Sequence, residues 1–144
     1  MKSILVVCIG NICRSPMAEG LLRKALPTLT IGSAGLGALV GHPADPIAIE
    51  LMQEMGVDLS AHRARQLTKD LCAHADLILA MDQDQCNAIA LTNPLVRGRI
   101  YRLGHFVDVS IPDPYKKDKQ YFAECLKLIK QSVDSWVPKI EQLA

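Results

Sequence analysis

Residues 3–8, "SILVVC", form a continuous apolar run that stops at a cysteine, and this run most narrows the folds open to the chain. A strand with one face in water alternates apolar and polar side chains. A run that is apolar throughout suits a strand covered on both faces, as in a parallel sheet between layers of helices. Gly10-Asn11 and then Ser15-Pro16 follow it. Glycine and asparagine are the residues that most readily accept left-handed backbone angles. Serine followed by proline reads as a helix start, with Ser15 as its cap. Buried strand, tight turn and helix in succession make a first βα unit.

The rest of the chain continues this alternation. Ala18, Leu21, Leu22 and Ala25 give the first helix an apolar face, and Pro27 ends it. "TLTIGSAG" (28–35) reads as a second strand. A helix follows from about Asp45, with Ile47, Leu51 and Met55 inward and Gly56 as its stop. "ADLILAMD" (75–82) is a third buried strand, 83–91 a short helix, and "RIYRLG" (99–104) a fourth strand. In the last helix Phe122, Cys125, Ile129, Val133, Trp136, Ile140 and Leu143 recur every three or four residues as one inward stripe, which Pro138 is expected to kink. The expectation is one domain over residues 1–144, an α/β fold of three αβα layers around four parallel strands.

Composition excludes several classes of function. With a net charge of +1 the chain shows no overall bias toward nucleic acid or a membrane surface. The opening "MKSILVVCIG" faintly resembles a secretion signal, but its apolar run is short and Asn11 and Arg14 follow, so a cytoplasmic protein without membrane insertion is expected. Five cysteines, an odd number without a C-x-x-C pair, and four scattered histidines fit neither a disulfide framework nor a zinc site. No metal or cofactor is expected.

Cys8 and Arg14 form a Cys-x5-Arg pattern, common enough alone, and its position gives it weight. The loop leaves the carboxyl end of the first strand and enters a helix N-terminus, where open α/β sheets bind ligands and free N–H groups attract anions. A turn at Gly10-Asn11 can aim successive N–H groups at one centre, and Arg14 adds a planar fork for two phosphate oxygens. Such a field favours the thiolate of a cysteine placed in it, which is the nucleophilic form, and Ser15 can donate a hydrogen bond to that sulfur. "GSAGLGALVG" (32–41) lacks the Lys-Ser/Thr of a Walker loop and reads as either a rim beside the site or a plain turn. Attack on an aryl phosphate needs a proton donor for the departing oxygen. Asp113, held between Pro112 and Pro114, supplies a carboxyl, and Tyr115 could stack on an aromatic ring.

With these motifs in view, "CIGNICRSPMAE" and the late "DPY" make the chain resemble the low-molecular-weight protein tyrosine phosphatases. The resemblance extends through "SAG", "SAHRARQLT" and "LILAMD" and is strongest to the bacterial branch associated with exopolysaccharide and capsule export. It implies a sheet in the order 2-1-3-4 and a phosphate-binding loop of Ile9, Gly10, Asn11, Ile12, Cys13 and Ser15. It also implies Cys8 as nucleophile through a phosphocysteine, Arg14 as phosphate ligand, and Asp113 as general acid and then base. Asn11 would fix a strained turn, His62 would bond toward Ser15, and Cys13 would trap an oxidised Cys8 as a disulfide. Ile9, Leu39, Val40 and Tyr115 would wall the substrate pocket, and Lys116, Lys117 and Lys119 would make its surroundings basic. The implied partner is a phosphotyrosine protein, a bacterial tyrosine autokinase, met by a monomeric enzyme.

Rival readings on the same scaffold differ at particular residues. A thiol-dependent arsenate reductase needs two further cysteines close together on a mobile segment, whereas Cys72 and Cys86 read as core residues in separate helices. A protein-arginine phosphatase typically carries threonine where Ile12 stands. A non-catalytic phosphotyrosine-binding module needs neither thiolate nor acid. Asp82 and Glu19 read as structural partners for arginines such as Arg65.

Overall fold

The computed structural model describes residues 1–143. Strand β1 (Ser3–Cys8) runs between β2 (Thr30–Gly35) and β3 (Leu77–Ala80), and β3 carries the edge strand β4 (Ile100–Arg102). All three pairings are parallel, and the order is β2-β1-β3-β4. The helices are α1 (Arg14–Ala25), α2 (Pro46–Glu54), α3 (Lys69–His74), α4 (Gln83–Thr92) and α5 (Lys119–Leu143). A 3₁₀ turn over Pro94–Arg99, which the apolar periodicity does not register, leads into β4.

The unbroken apolar run of β1 has the expected cause: both of its faces are buried. Ile4, Val6 and Cys8 point into a core shared with Met17, Leu22, Phe122 and Ile129 of α1 and α5. Leu5 and Val7 point the other way, against Cys72, Cys86 and Ile89 of α3 and α4. The two-residue period of a strand thus puts Cys8 on the side of α1 and α5. Because β1 is followed on one flank by β2 and on the other by β3, the chain reverses its winding at the carboxyl end of β1, where a crevice opens.

The stripe on α5 is buried at Phe122, Cys125, Ile129, Val133, Trp136 and Ile140, each apolar side chain contributing roughly 1.5–3 kcal/mol on transfer from water. Leu143 departs from expectation: at 63% exposed it lies past the edge of the core, where its carbonyl accepts the Met1 ammonium at 2.9 Å. Pro138 sits within a helix that continues to Leu143. At α1 the helix begins one residue before Ser15, with Cys13 at the cap position and no side-chain cap, so the Ser15 hydroxyl is free for another use.

Candidate active site

The loop between β1 and α1 wraps around a centre, and hydrogen bonds on its outer side hold it there. Leu36 N–H donates to the Cys8 carbonyl (2.9 Å), Gly37 N–H to that of Ile9 (3.0 Å), and Leu39 N–H to that of Gly10 (3.1 Å). His62 Nε2 donates to the Asn11 carbonyl (2.6 Å), and Asp45 N–H to that of Ile12 (2.8 Å). In a planar trans peptide the C=O and the following N–H point in opposite directions. Carbonyls anchored outward from Cys8 to Ile12 therefore turn the N–H groups of Ile9 to Cys13 inward, toward the N-terminus of α1. This is an anion cradle built from backbone.

Three of those anchors come from the glycine-rich segment after β2, which is a strut for the loop as well as a rim of the site, and not a plain turn. Gly35 lets it approach: a Cβ there would lie 2.3 Å from the Ile9 carbonyl oxygen, so no other residue fits without moving the loop. Of Gly10 and Asn11, only Asn11 takes the left-handed conformation (φ 58°).

Asn11 is fully buried, and its amide sets the direction of a hydrogen-bond chain. Its Oδ1 accepts Arg65 N–H (2.9 Å), which orients Nδ2 to donate to Ser15 Oγ (2.8 Å) and Ser33 Oγ (3.0 Å). Ser33 spends its one hydroxyl proton on Glu19 Oε1 (2.5 Å). Ser15, already an acceptor from Asn11, keeps its proton for Cys8 Sγ, 2.9 Å away. The chain therefore ends with a donor aimed at the sulfur. His62 reaches the Asn11 carbonyl, not Ser15 as the resemblance implies. Glu19 pairs with Arg23 (3.0 Å), not Arg65, and Asp82 caps α4 by accepting Gln85 N–H.

Opposite the sulfur stands the loop carrying Asp113. Arg14, 3% exposed, spans the gap: Nη1 donates to the Ile111 carbonyl (2.8 Å) and Nη2 lies 3.7 Å from Asp113 Oδ2. Asp113 Oδ1 accepts Tyr115 N–H (3.0 Å), which holds a half-exposed carboxyl group over the crevice. Cys125 of α5 anchors the same loop, its thiol donating to the Pro112 carbonyl at 3.4 Å. Burial pushes that thiol up to about 11, so it stays protonated and able to donate. The Cys13 thiol is also pushed up, by burial first and then by Asp45.

Cys8, Ile9, Arg14, Leu39, Asp113 and Tyr115 open on one cavity of about 180 Å³, with Gly10, Ile12, Cys13 and Gly37 completing it. This is small beside the roughly 300–1,000 Å³ of drug-sized sites and suits a phosphoryl group on one ring. Val40, 66% exposed, lies outside the lining. Lys119 is turned away to Glu50 (2.7 Å) and Glu54 (3.8 Å), leaving Lys116, over the Tyr115 ring, and Lys117, over Tyr121. Ser33, Glu19, Arg65 and Gly35 join the site without any mark in the apolar periodicity.

A parallel sheet with a thiol and a guanidinium in an anion cradle at its winding reversal defines an enzyme class that handles phosphate-like groups. The chain belongs to the low molecular weight phosphotyrosine protein phosphatase family, whose description matches residues 3–144. It is 52% identical over 143 residues to "Probable low molecular weight protein-tyrosine-phosphatase EpsP" of Ralstonia nicotianae, covering 99% of each chain. Vibrio vulnificus Wzb in complex with benzylphosphonate superposes with a TM-score of 0.93 at 41% identity, over 96% of this chain and 98% of the other. The YwlE arginine phosphatase of Geobacillus stearothermophilus has a TM-score of 0.92 at 31% identity, over 99% and 94% of the two chains. The fold alone therefore does not choose between phosphotyrosine and phosphoarginine.

Proposed function

We propose that the protein hydrolyses phosphotyrosine in protein substrates through a phosphocysteine on Cys8. The observation that carries this reading is the convergence on one cavity of Cys8, with Ser15 Oγ at 2.9 Å, and the Arg14–Asp113 pair. The cradle N–H groups and Arg14 bind the three non-bridging oxygens and neutralise the charge that develops in transfer. The Cys8 thiolate forms the S–P bond as the P–O bond to tyrosine breaks, and Asp113 gives its proton to the departing oxygen. Asp113, now a carboxylate, takes a proton from water as that water attacks phosphorus. The S–P bond breaks, phosphate leaves and the thiolate returns, with Ser15 donating to it.

Ile12 at the loop offers no hydroxyl, and Ile9, Leu39 and Tyr115 make apolar walls, which supports an aryl phosphate ester over a phosphorylated guanidinium, whose bond is P–N. Cys72 and Cys86 are buried in different helices, which speaks against a disulfide shuttle of the arsenate-reductase kind. The relatives carry the name protein-tyrosine-phosphatase, and in this reading the protein works beside polysaccharide export with a tyrosine autokinase as substrate. The enzyme then acts as a cytoplasmic monomer built as one domain, and Cys13 serves as the redox trap for Cys8. No helix among the described residues is long and apolar enough to cross a membrane.

Cys8→Ser tests the central step. A serine hydroxyl does not ionise in the cradle, so turnover of p-nitrophenyl phosphate should vanish while inorganic phosphate still binds. Substantial residual turnover would remove Cys8 from the reaction.

A further inference from the structure

Behind the phosphate loop, between α1 and residues 56–65, lies a second cleft of about 640 Å³. It shares no lining residue with the catalytic cavity, so both can be filled at once. Four cations, Arg23, Lys24, Arg63 and Arg65, face it against two carboxylates, Glu19 and Asp58. Arg23 is taken by Glu19 at 3.0 Å. The other three have only carbonyl partners: Met55 for Lys24 (2.8 Å), His62 and Ser60 for Arg63 (2.7 and 3.3 Å), and Ser33 for Arg65 (2.8 Å). Gly32 leaves room for Arg65 to lie across the strand, since a Cβ there would be 2.7 Å from its Nη2. A protein with a net charge of only +1 thus gathers unneutralised cations around one concavity of ligand size.

The walls of this cleft also hold Asn11. His62 bonds its carbonyl, Arg65 N–H its Oδ1, and Ser33, tied to Glu19, its Nδ2. A ligand that draws the Arg65 guanidinium outward competes with the Ser33 carbonyl and strains the residue whose N–H orients the Asn11 amide.

We propose that this cleft is a second, regulatory anion site for a phosphate-bearing small molecule of about nucleotide size. Occupancy slows turnover by acting through Asn11 and Ser15 on Cys8. Only this coupling rests on the nucleophile reading above; binding at the cleft does not.

Tripolyphosphate is the probe, titrated calorimetrically into the full chain at about 100 mM salt, where exposed long-range effects are screened. Wild type should show two sites, and Arg14→Ala should keep one. Lys24→Glu/Arg63→Glu should lose the cleft site by roughly ten-fold or more in affinity, as expected when charge-assisted bonds are removed. Lys69→Glu/Lys127→Glu, the same charge change elsewhere, should keep both, and Lys24→Gln/Arg63→Gln serves if the double reversal melts early. With p-nitrophenyl phosphate the probe should lower kcat at saturating substrate in wild type. In the cleft variant, whose rate without probe stays within about two-fold of wild type, inhibition should be purely competitive. A single site in wild type, or equal binding by the cleft and control variants, overturns the site. Two sites with competitive inhibition alone overturn the coupling. A wild type that binds twice but turns over no aryl phosphate would instead refute the proposed activity.

Discussion

Asn11 offers the most quantitative test, because its amide and its backbone angle perform separable jobs. Asn11→Ala removes three hydrogen bonds, two buried (2.8 and 3.0 Å) and one partly buried (2.9 Å). At about 1 kcal/mol net each, they amount to about 3 kcal/mol. An alanine held at φ 58° adds about 1 kcal/mol of strain, for a total of about 4 kcal/mol. Asn11→Gly loses the same bonds but adopts the angle freely, so it should be about 1 kcal/mol more stable than the alanine variant. Both variants should remain folded, since domains of this size commonly have about 5–15 kcal/mol in hand. Urea unfolding followed by Trp136, the one tryptophan, buried with its Nε1–H on the Leu103 carbonyl, measures each difference. Turnover should fall in both variants alike, because Ser15 loses its orientation toward Cys8 in each. An alanine variant within about 0.5 kcal/mol of wild type with kcat intact would refute the hydrogen-bond chain. Equal stability of alanine and glycine variants would refute the strain.

Asp113→Asn should slow phosphotyrosine turnover far more than that of p-nitrophenyl phosphate, whose leaving group needs no proton. It should also release a burst of about one nitrophenol per site as the phosphocysteine accumulates; equal losses without a burst would put the acid elsewhere. Gly35→Ala forces a Cβ to 2.3 Å from the Ile9 carbonyl, costing about 1–3 kcal/mol by urea unfolding and shifting KM for aryl phosphate as the cradle moves; wild-type values for both would refute the close fit. Because burial raises the Cys13 and Cys125 thiols, they stay protonated at neutral pH and form thiolate only as pH climbs toward those raised values. Peptide mapping after iodoacetamide at pH 7 should therefore find Cys8 modified first, and labelling of Cys13 ahead of Cys8 would reverse the assignment. Activity lost to peroxide should return with added thiol in wild type and recover less in Cys13→Ser; equal recovery would exclude the trap.

Local chemistry made part of this protein legible in its sequence. The run 3–8 specifies a strand buried on both faces, and Cys8, Arg14 and Ser15 follow within one short loop, so adjacency in the chain is adjacency in space. The stripe from Phe122 to Ile140 fixes one face of α5 for the same reason. Periodicity records only that a face is covered, not what covers it. It therefore left open that Arg14 reaches the Ile111 carbonyl, that His62 takes Asn11 and not Ser15, and that Lys119 turns away to α2. The cradle's strut is harder still to read, since the N–H groups of Leu36, Gly37 and Leu39 that hold it would be present whatever side chains stood there, proline excepted. Backbone donors leave no trace in residue identity. Tertiary structure alone decided which of them meet the loop, because only the parallel packing of β2 beside β1 brings that segment within hydrogen-bond reach.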